Sequence, residues 1–191
     1  ISYVVIGFAL LAVGGFGAYK VMSHVQTRFQ IWLDPFADPS GDGYQLVQSL
    51  FSLADGGLVG TGIGKGMPTL IPIVESDFIF SAIGEELGML GCLAVLILLT
   101  AIIVRCLMVA KNARNTIESY VCVGVAAVLI FQTISNVGMC LFVMPVVGLT
   151  LPFFSYGGSS IVTLFAAMGM VSSVPVSYTH LRAHETLRHL V

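Results

Sequence analysis

The sequence predicts an all-α fold, a polytopic bundle of transmembrane helices that carries one long extracytoplasmic loop. Hydrophobic residues make up 57% of the chain and charged residues 9%. Mean hydropathy is +0.96, far above that of soluble globular domains. Four runs, Ile1–Tyr19, Leu87–Val104, Tyr120–Met144 and Gly157–Val174, contain no Asp, Glu, Lys or Arg, and about twenty apolar residues suffice to cross a bilayer. No amphipathic partner segments exist to bury four such helices in a soluble core. The expected helices cover about 1–22, 78–105, 119–144 and 157–174, with an outer loop over 23–77.

The first helix opens on Ile1, inside a hydrophobic run and without a positively charged leader region. The expectation is a fragment preceded by further helices rather than a signal peptide. Orientation follows from the basic residues. The connection Arg105–Ser119 carries Arg105, Lys111 and Arg114, whereas the long loop carries Arg28 and Lys65 against Asp34, Asp38, Asp42, Asp55 and Glu75. The positive-inside rule puts 106–118 in the cytoplasm and the long loop outside. The four cysteines, Cys92, Cys106, Cys122 and Cys140, lack paired spacing and read as small buried hydrophobes, not disulfides or metal ligands.

Within the loop, Trp32-Leu33-Asp34-Pro35 and Asp38-Pro39 are turn formers, because proline fixes φ and pushes the preceding residue extended. Tyr44–Ala54 places Leu46, Leu50 and Leu53 on one helical face beside Val47, which predicts an amphipathic helix lying along the outer leaflet. The glycines that follow, from Gly56 to Gly66, permit close backbone approach to a ligand. A nucleotide-binding phosphate loop is excluded: Val59 stands where its first glycine belongs, and Gly66 stands where Ser or Thr must follow Lys65. A looser contact of Lys65 and backbone amides with a lipid-linked diphosphate stays open.

That glycine-rich stretch runs into Glu75-Ser76-Asp77 and then at once into an apolar helix. Ionisable groups beside a membrane helix are expensive and commonly functional. Asp77 reads as a helix N-cap, and equally as a general base at the outer face; the two roles are compatible. Glu85 and Glu86 lie about 12 Å further along the axis, too far to share a proton with Asp77. They are read either as interfacial or interhelical pairing groups or as binders of substrate or a cation. In the third helix, Gln132, Ser135 and Asn136 share one face and read as hydrogen-bonding glue between helices. The next connection, from Met144 to Gly158, has no charge, which suggests a loop packed into the protein or lining a cavity. Ser155, Tyr156, Ser159 and Ser160 would present hydroxyls and amides on the side of Asp77.

At this point the residues carry a family likeness. Arg28 with Leu33-Asp34-Pro35, Asp38-Pro39, Gly43-Tyr44-Gln45, Gln48-Ser49-Leu50, Gly56-Gly57, Gly60, Gly62-Ile63-Gly64, Asp77-Phe78-Ile79-Phe80, Glu85-Glu86-Leu87-Gly88, Pro145, Gly148 and Leu151-Pro152-Phe153 running into Ser155-Tyr156-Gly157-Gly158-Ser159-Ser160 together resemble the carboxy-terminal half of the SEDS family (shape, elongation, division and sporulation; the RodA/FtsW/SpoVE-like proteins). The likeness covers roughly residues 1–174. It implies a ten-helix enzyme of which this chain holds the last four helices.

The resemblance implies further a peptidoglycan glycosyltransferase that polymerises lipid II into glycan strands at the outer face of the bacterial cytoplasmic membrane, for division or for elongation and shape. The family's essential loop aspartate falls on Asp77, which would deprotonate the acceptor 4-hydroxyl. Arg28, Lys65, Glu75, Glu85, Glu86, Ser155, Tyr156, Gly157, Gly158, Ser159 and Ser160 are the expected substrate-binding positions. A divalent cation, Mg2+ or Mn2+, or the basic side chains would offset the charge of the leaving diphosphate; no protein-held metal site is expected. Implied partners are lipid II, nascent glycan, membrane lipid, a class B penicillin-binding transpeptidase and the divisome or elongasome; no nucleic acid is expected. Alone, the fragment is expected to be inactive.

Two departures from the family stand out. Ile73 follows Pro72 where an acid is common, with Val74-Glu75-Ser76 before Asp77, and the glycine loop is short. The tail over 175–191 falls outside the pattern and is similar to a translated sequencing-adapter artefact; a metal site at His180, His184 and Glu185 is disfavoured, and a genuine basic cytoplasmic tail is the second choice. Two other functions compete: a lipid II flippase and a scaffold that retains only partner binding. A flippase needs ionisable groups along a path through the bilayer, whereas these carboxylates gather at one face.

Overall fold

The computed structural model describes the backbone of residues 2–41 and 43–188, and the side chains of 3, 5–41 and 43–175. Asp42, one of the loop acids, lies outside the described residues, as do the side chains of His180, His184 and Glu185. Six α-helices follow one another: α1 Ser2–Val21, α2 Ser23–Leu33, α3 Tyr44–Gly56, α4 Ile79–Asn112, α5 Thr116–Cys140 and α6 Gly158–Arg188, with a 3-10 turn at Pro68–Leu70. The described residues contain no strand. Helices α4, α5 and the Gly158–Pro175 part of α6 are each long and apolar enough to cross a membrane. Helices α1 and α2, bent by 97° at Met22, make a fourth span if taken together.

The outer loop is more helical than its proline and glycine content suggests. Helix α2 occupies its first fifth and stops where Pro35 follows Asp34, the expected stopping point before a proline. Helix α3 packs on α4 instead of lying free along a leaflet. Its buried face is Leu46, Val47, Ser49, Ser52 and Gly56, so serines are inside along with the leucine. Ser49 Oγ is 2.6 Å from Ser81 Oγ and donates to the Cys140 carbonyl at 3.3 Å. Hydroxyls satisfied in this way can be buried, so the buried face keeps Leu46 and Val47, with Leu53 partly buried against the core, and extends over the two serines.

Two apolar clusters hold the bundle. The outer one joins Leu46, Ile71, Val74, Phe78, Phe80, Val95 and Leu151; the inner one joins Ala110, Ala126, Leu129, Leu164 and Val171 between α4, α5 and α6. All four cysteines are buried and free. The basic stretch from Arg105 to Lys111 is the end of α4, because nothing in it breaks a helix. The connection to α5 is thereby only 113–115. Asn115 caps α5 by accepting from the Ile117 amide at 3.1 Å.

Helix α4 is interrupted at Gly88, whose φ of 67° and ψ of −167° are non-helical. In a continuous helix the Met89 and Leu90 amides would donate to the Glu85 and Glu86 carbonyls. Here Met89 N donates to Gly57 O at 2.9 Å and Leu90 N to Leu58 O at 3.2 Å. The Glu85 and Glu86 carbonyls accept instead from Thr61 N at 2.9 Å and Gly62 N at 3.0 Å. Residues 57–62 thus splice the break and leave no backbone group of these pairs unmade. Gly56 and Gly60 use their lack of a side chain for close approach to the backbone of α4, while Gly57 and Gly64 have open space around them.

Candidate functional site

The site is built around the segment 75–77, just outside α4. Asp77 is not the helix cap. Phe78 occupies that position without a side-chain cap bond, which corrects the capping role given to Asp77. Ile73 starts the turn with a φ of 58°, a rare conformation for a β-branched residue and one that gathers at functional sites. Its carbonyl accepts from the amides of Ser76 and Asp77, each at 3.2 Å.

Three successive carbonyls are then held from outside the segment. Glu75 O accepts from Tyr156 N at 2.8 Å. Ser76 O accepts from Ser155 Oγ, which itself accepts from the Leu151 amide at 2.7 Å. Asp77 O accepts from Asn136 Nδ2 at 2.8 Å, and the same nitrogen donates to Leu149 O at 2.7 Å. With its main chain fixed on both α5 and the 148–156 loop, Asp77 is left half-buried, and its side chain takes one bond, from Ser76 Oγ to Oδ1 at 3.0 Å. Its Oδ2 rests beside Gly148, where a Cβ would be 3.3 Å away.

Gly148 also forms the lip of a cavity of ≈ 610 Å³ between α5 and α6, lined by Val125, Val128, Gln132, Leu149, Thr150 and Ser160 among others. Its α5 wall is apolar apart from Gln132, and its polar end carries the Thr150 and Ser160 hydroxyls, 3.1 Å apart. Asp77 does not itself line the cavity, but its Oδ2 neighbours Gly148, which does, and an apolar cavity with a few polar groups at one end suits an amphiphilic ligand. Ser159 and Ser160, in the first turn of α6, line the same cavity, whereas Gly157 and Gly158 just before them do not. Tyr156 contributes its backbone to the clamp, and its ring is 77% exposed. Arg28 on α2 reaches the same loop and donates from Nη1 to Val146 O. Glu75 presents an exposed carboxylate.

Lys65, Glu85 and Glu86 form a separate cluster on the spliced break. Glu86 Oε1 accepts from Gly64 N at 3.1 Å, and Glu85 Oε1 accepts from Met67 N at 2.5 Å. The two carboxylates therefore grip the turn that carries the exposed Lys65. Glu85 is only 6% exposed, and its Oε2 has no partner. Among the described residues no hydrogen bond links this cluster to Asp77: Arg28 bonds the loop after α5 at Val146 and the 75–77 segment bonds it at Ser155 and Tyr156, whereas Lys65 sits on a separate turn.

Sequence reasoning passed over Asn136 and Gly148 as site residues. The signal for Asn136 was present, an amide inside an otherwise apolar span, but spacing alone gives no partner. Gly148 shows its role only once the loop is folded over Asp77.

The model of the FtsW/RodA/SpoVE family, described as cell cycle proteins, matches residues 1–180. Peptidoglycan glycosyltransferase RodA of Mycobacterium tuberculosis (strain ATCC 25618 / H37Rv) is 44% identical over 173 residues, which is 91% of this chain and 37% of that protein. A probable peptidoglycan glycosyltransferase FtsW from Synechocystis sp. (strain ATCC 27184 / PCC 6803 / Kazusa) is 40% identical over 81% of this chain and 40% of its own length. The stage V sporulation protein E of Bacillus subtilis (strain 168) is 37% identical over 77% of this chain and 41% of its own length. A chain of a solved peptidoglycan synthase complex, reported for its coordination of polymerization and crosslinking, superposes with a TM-score of 0.69 at 31% identity, covering 89% of this chain and 47% of that one. The present chain thus spans well under half the length of these relatives. On a match of nearly its whole length, it belongs to the FtsW/RodA/SpoVE family of cell cycle proteins, and it is a multi-pass membrane protein.

Proposed function

We propose that this chain carries the reacting carboxylate of a peptidoglycan glycosyltransferase that polymerises lipid II into glycan strands at the outer face of the bacterial cytoplasmic membrane. The observation that supports this reading best is the triple carbonyl clamp, which fixes Asp77 with its Oδ2 beside Gly148, a lining residue of the α5/α6 cavity. The names of the family relatives point to the same activity.

In the proposed step Asp77 Oδ2 takes the proton of the acceptor sugar's 4-hydroxyl. The oxygen forms a bond to the anomeric carbon of the lipid-linked donor, and the bond from that carbon to the diphosphate oxygen breaks. Undecaprenyl diphosphate leaves with the electron pair, and the configuration inverts from α to β. A carboxylate held by its own backbone needs no reorganisation when the proton moves, which is how positioning lowers a barrier. Arg28 and Lys65 are the cations of this chain available to meet the leaving diphosphate, and the hydroxyls of Ser159, Ser160 and Thr150 lie at the mouth it would cross. Glu75 precedes Asp77 in the clamped segment, and Glu85 and Glu86 enter at a distance, as supports of the turn that carries Lys65.

A divalent cation, Mg2+ or Mn2+, has no protein cage to occupy: among the described residues no group of three or more His, Cys, Asp or Glu is placed to hold one. The exposed Glu75 to Lys65 side is read as extracytoplasmic because Arg105, Lys111 and Arg114 mark the opposite end of the bundle. The coordination of polymerization and crosslinking in the solved synthase complex supports a class B penicillin-binding transpeptidase as partner, within the division or elongation machinery.

The test uses the full-length protein with its partner transpeptidase, fed lipid II, as wild type and as Asp77→Ala. Glycan strands from the wild type and none from a folded, partner-bound variant are expected. Equal polymerisation by both would refute the base assignment. Absence of polymer with transbilayer movement of labelled lipid II by both would favour a flippase.

A further inference from the structure

We propose that Asn136 is a positioning residue for glycosyl transfer, acting through the Asp77 carboxylate; the proposal rests on the reading of Asp77 as the base. Asn136 is fully buried, 0% exposed. Its Nδ2 donates to two carbonyls, Asp77 O at 2.8 Å and Leu149 O at 2.7 Å, from residues 59 and 13 positions away in the chain. Carbonyls only accept, so the nitrogen end of the amide must face them and its orientation follows from the bonding. No other side-chain donor holds residue 77 through its main chain as closely; Cys140 Sγ reaches the same carbonyl at 3.9 Å, a weak donor at long range.

The other end of the amide shows what the residue is for. Asn136 Oδ1 is buried without a partner, an unfavourable state that an apolar side chain of the same size avoids. As filler or as interhelical glue, asparagine is therefore a poor choice here. What only the amide supplies is one nitrogen that ties the carbonyl of Asp77 to the carbonyl of Leu149. Leu149 is bonded to Gly148, whose bare backbone flanks Oδ2 of Asp77 and forms the cavity lip. The same nitrogen thus sets the carboxylate and the wall it works against. Without it, the 75–77 segment keeps the bonds from Ser155 and Tyr156 to its first two carbonyls, and the third, which carries the reacting group, is released.

The test assays the full-length protein with its partner transpeptidase on lipid II, as Asn136→Leu, Asn136→Asp, Asp77→Glu, Asp77→Ala and the Asn136→Leu/Asp77→Glu pair. Asn136→Leu keeps the number and branching of the side-chain heavy atoms and removes both donated bonds. Its kcat is expected to fall by about ten- to a hundred-fold, as small misplacements of a reacting group do, with KM for lipid II within about two-fold of wild type. Asp77→Glu already misplaces the carboxylate, so adding Asn136→Leu to it should cost less than in the wild type, because both changes act on one group.

Asn136→Asp exchanges the donating nitrogen for an oxygen at almost the same size and should lower kcat like Asn136→Leu; if the leucine variant does not fold, this variant decides. A merely structural Asn136 would lower the melting temperature while leaving kcat per folded molecule unchanged, and its effect would multiply independently with Asp77→Glu. Either result overturns the proposal. Loss of polymer in Asp77→Ala with wild-type kcat in the Asn136 variants overturns the positioning role alone. Wild-type polymerisation by Asp77→Ala overturns the base assignment and the positioning role together.

Discussion

Asp77 Oδ2 and Gly148 are neighbours: a Cβ on the glycine would sit 3.3 Å from the carboxylate oxygen. The glycine also holds a φ of 70°, which L-residues with side chains rarely adopt. Gly148→Ala should therefore retain the bundle, cost about 1 kcal/mol of stability, and lower polymer synthesis by the full-length protein about ten-fold. Turnover and thermal unfolding measured on the same detergent-solubilised sample check this; unchanged turnover at lowered stability would mean that the glycine serves the turn alone.

The splice at Gly88 makes a stronger demand. A Cβ there would overlap the backbone nitrogen of Gly60 and the carbonyl of Leu58, and the φ of 67° is unfavourable for any side chain. Neither partner is the tip of a flexible side chain, so the 57–62 segment must move. Gly88→Ala is expected to destabilise the protein by at least about 2 kcal/mol and to expose the Gly60–Gly66 loop to limited proteolysis. A variant with the wild-type melting temperature and protease resistance would contradict the splice.

Glu85 offers a contrast between shape and charge. Its Oε1 accepts from the Met67 amide, and a glutamine carbonyl can accept the same bond. Glu85→Gln should leave the melting temperature within about 2 °C of wild type, whereas Glu85→Ala orphans a part-buried amide and costs about 1–3 kcal/mol. If the glutamine variant instead keeps its stability and loses polymerisation, the negative charge itself serves the reaction.

Much of this architecture is legible in the residues. The uncharged runs reveal α4, α5 and α6, and the Glu75-Ser76-Asp77 sequence before an apolar helix marks the candidate carboxylate. What escapes a linear reading depends on partners distant in the chain. Asp77 resembles an N-cap because capping is the common local use of that residue type, yet its main chain is engaged by Asn136, 59 residues on, and the cap position falls to Phe78. The face of α3 was assigned from leucines, but Ser49 and Ser52 are inside, because Ser49 finds Ser81 and Cys140. The glycines of 56–66 were correctly read as allowing close approach; that the approaching object is the backbone of Glu85–Gly88 is a tertiary fact with no periodic signature.

The interruption of α4 also settles a question of length. As one straight rod, 34 residues would measure about 51 Å, against a hydrocarbon layer of about 30 Å. Divided at Gly88, residues 89–112 supply about 36 Å, enough to cross with a modest tilt. Residues 79–87 are left over for the headgroup layer, with Asp77 at their leading end. The break thereby acts as a depth gauge: it ends the uninterrupted apolar span at residue 89 and leaves Asp77 beyond that end, on the side of the long loop.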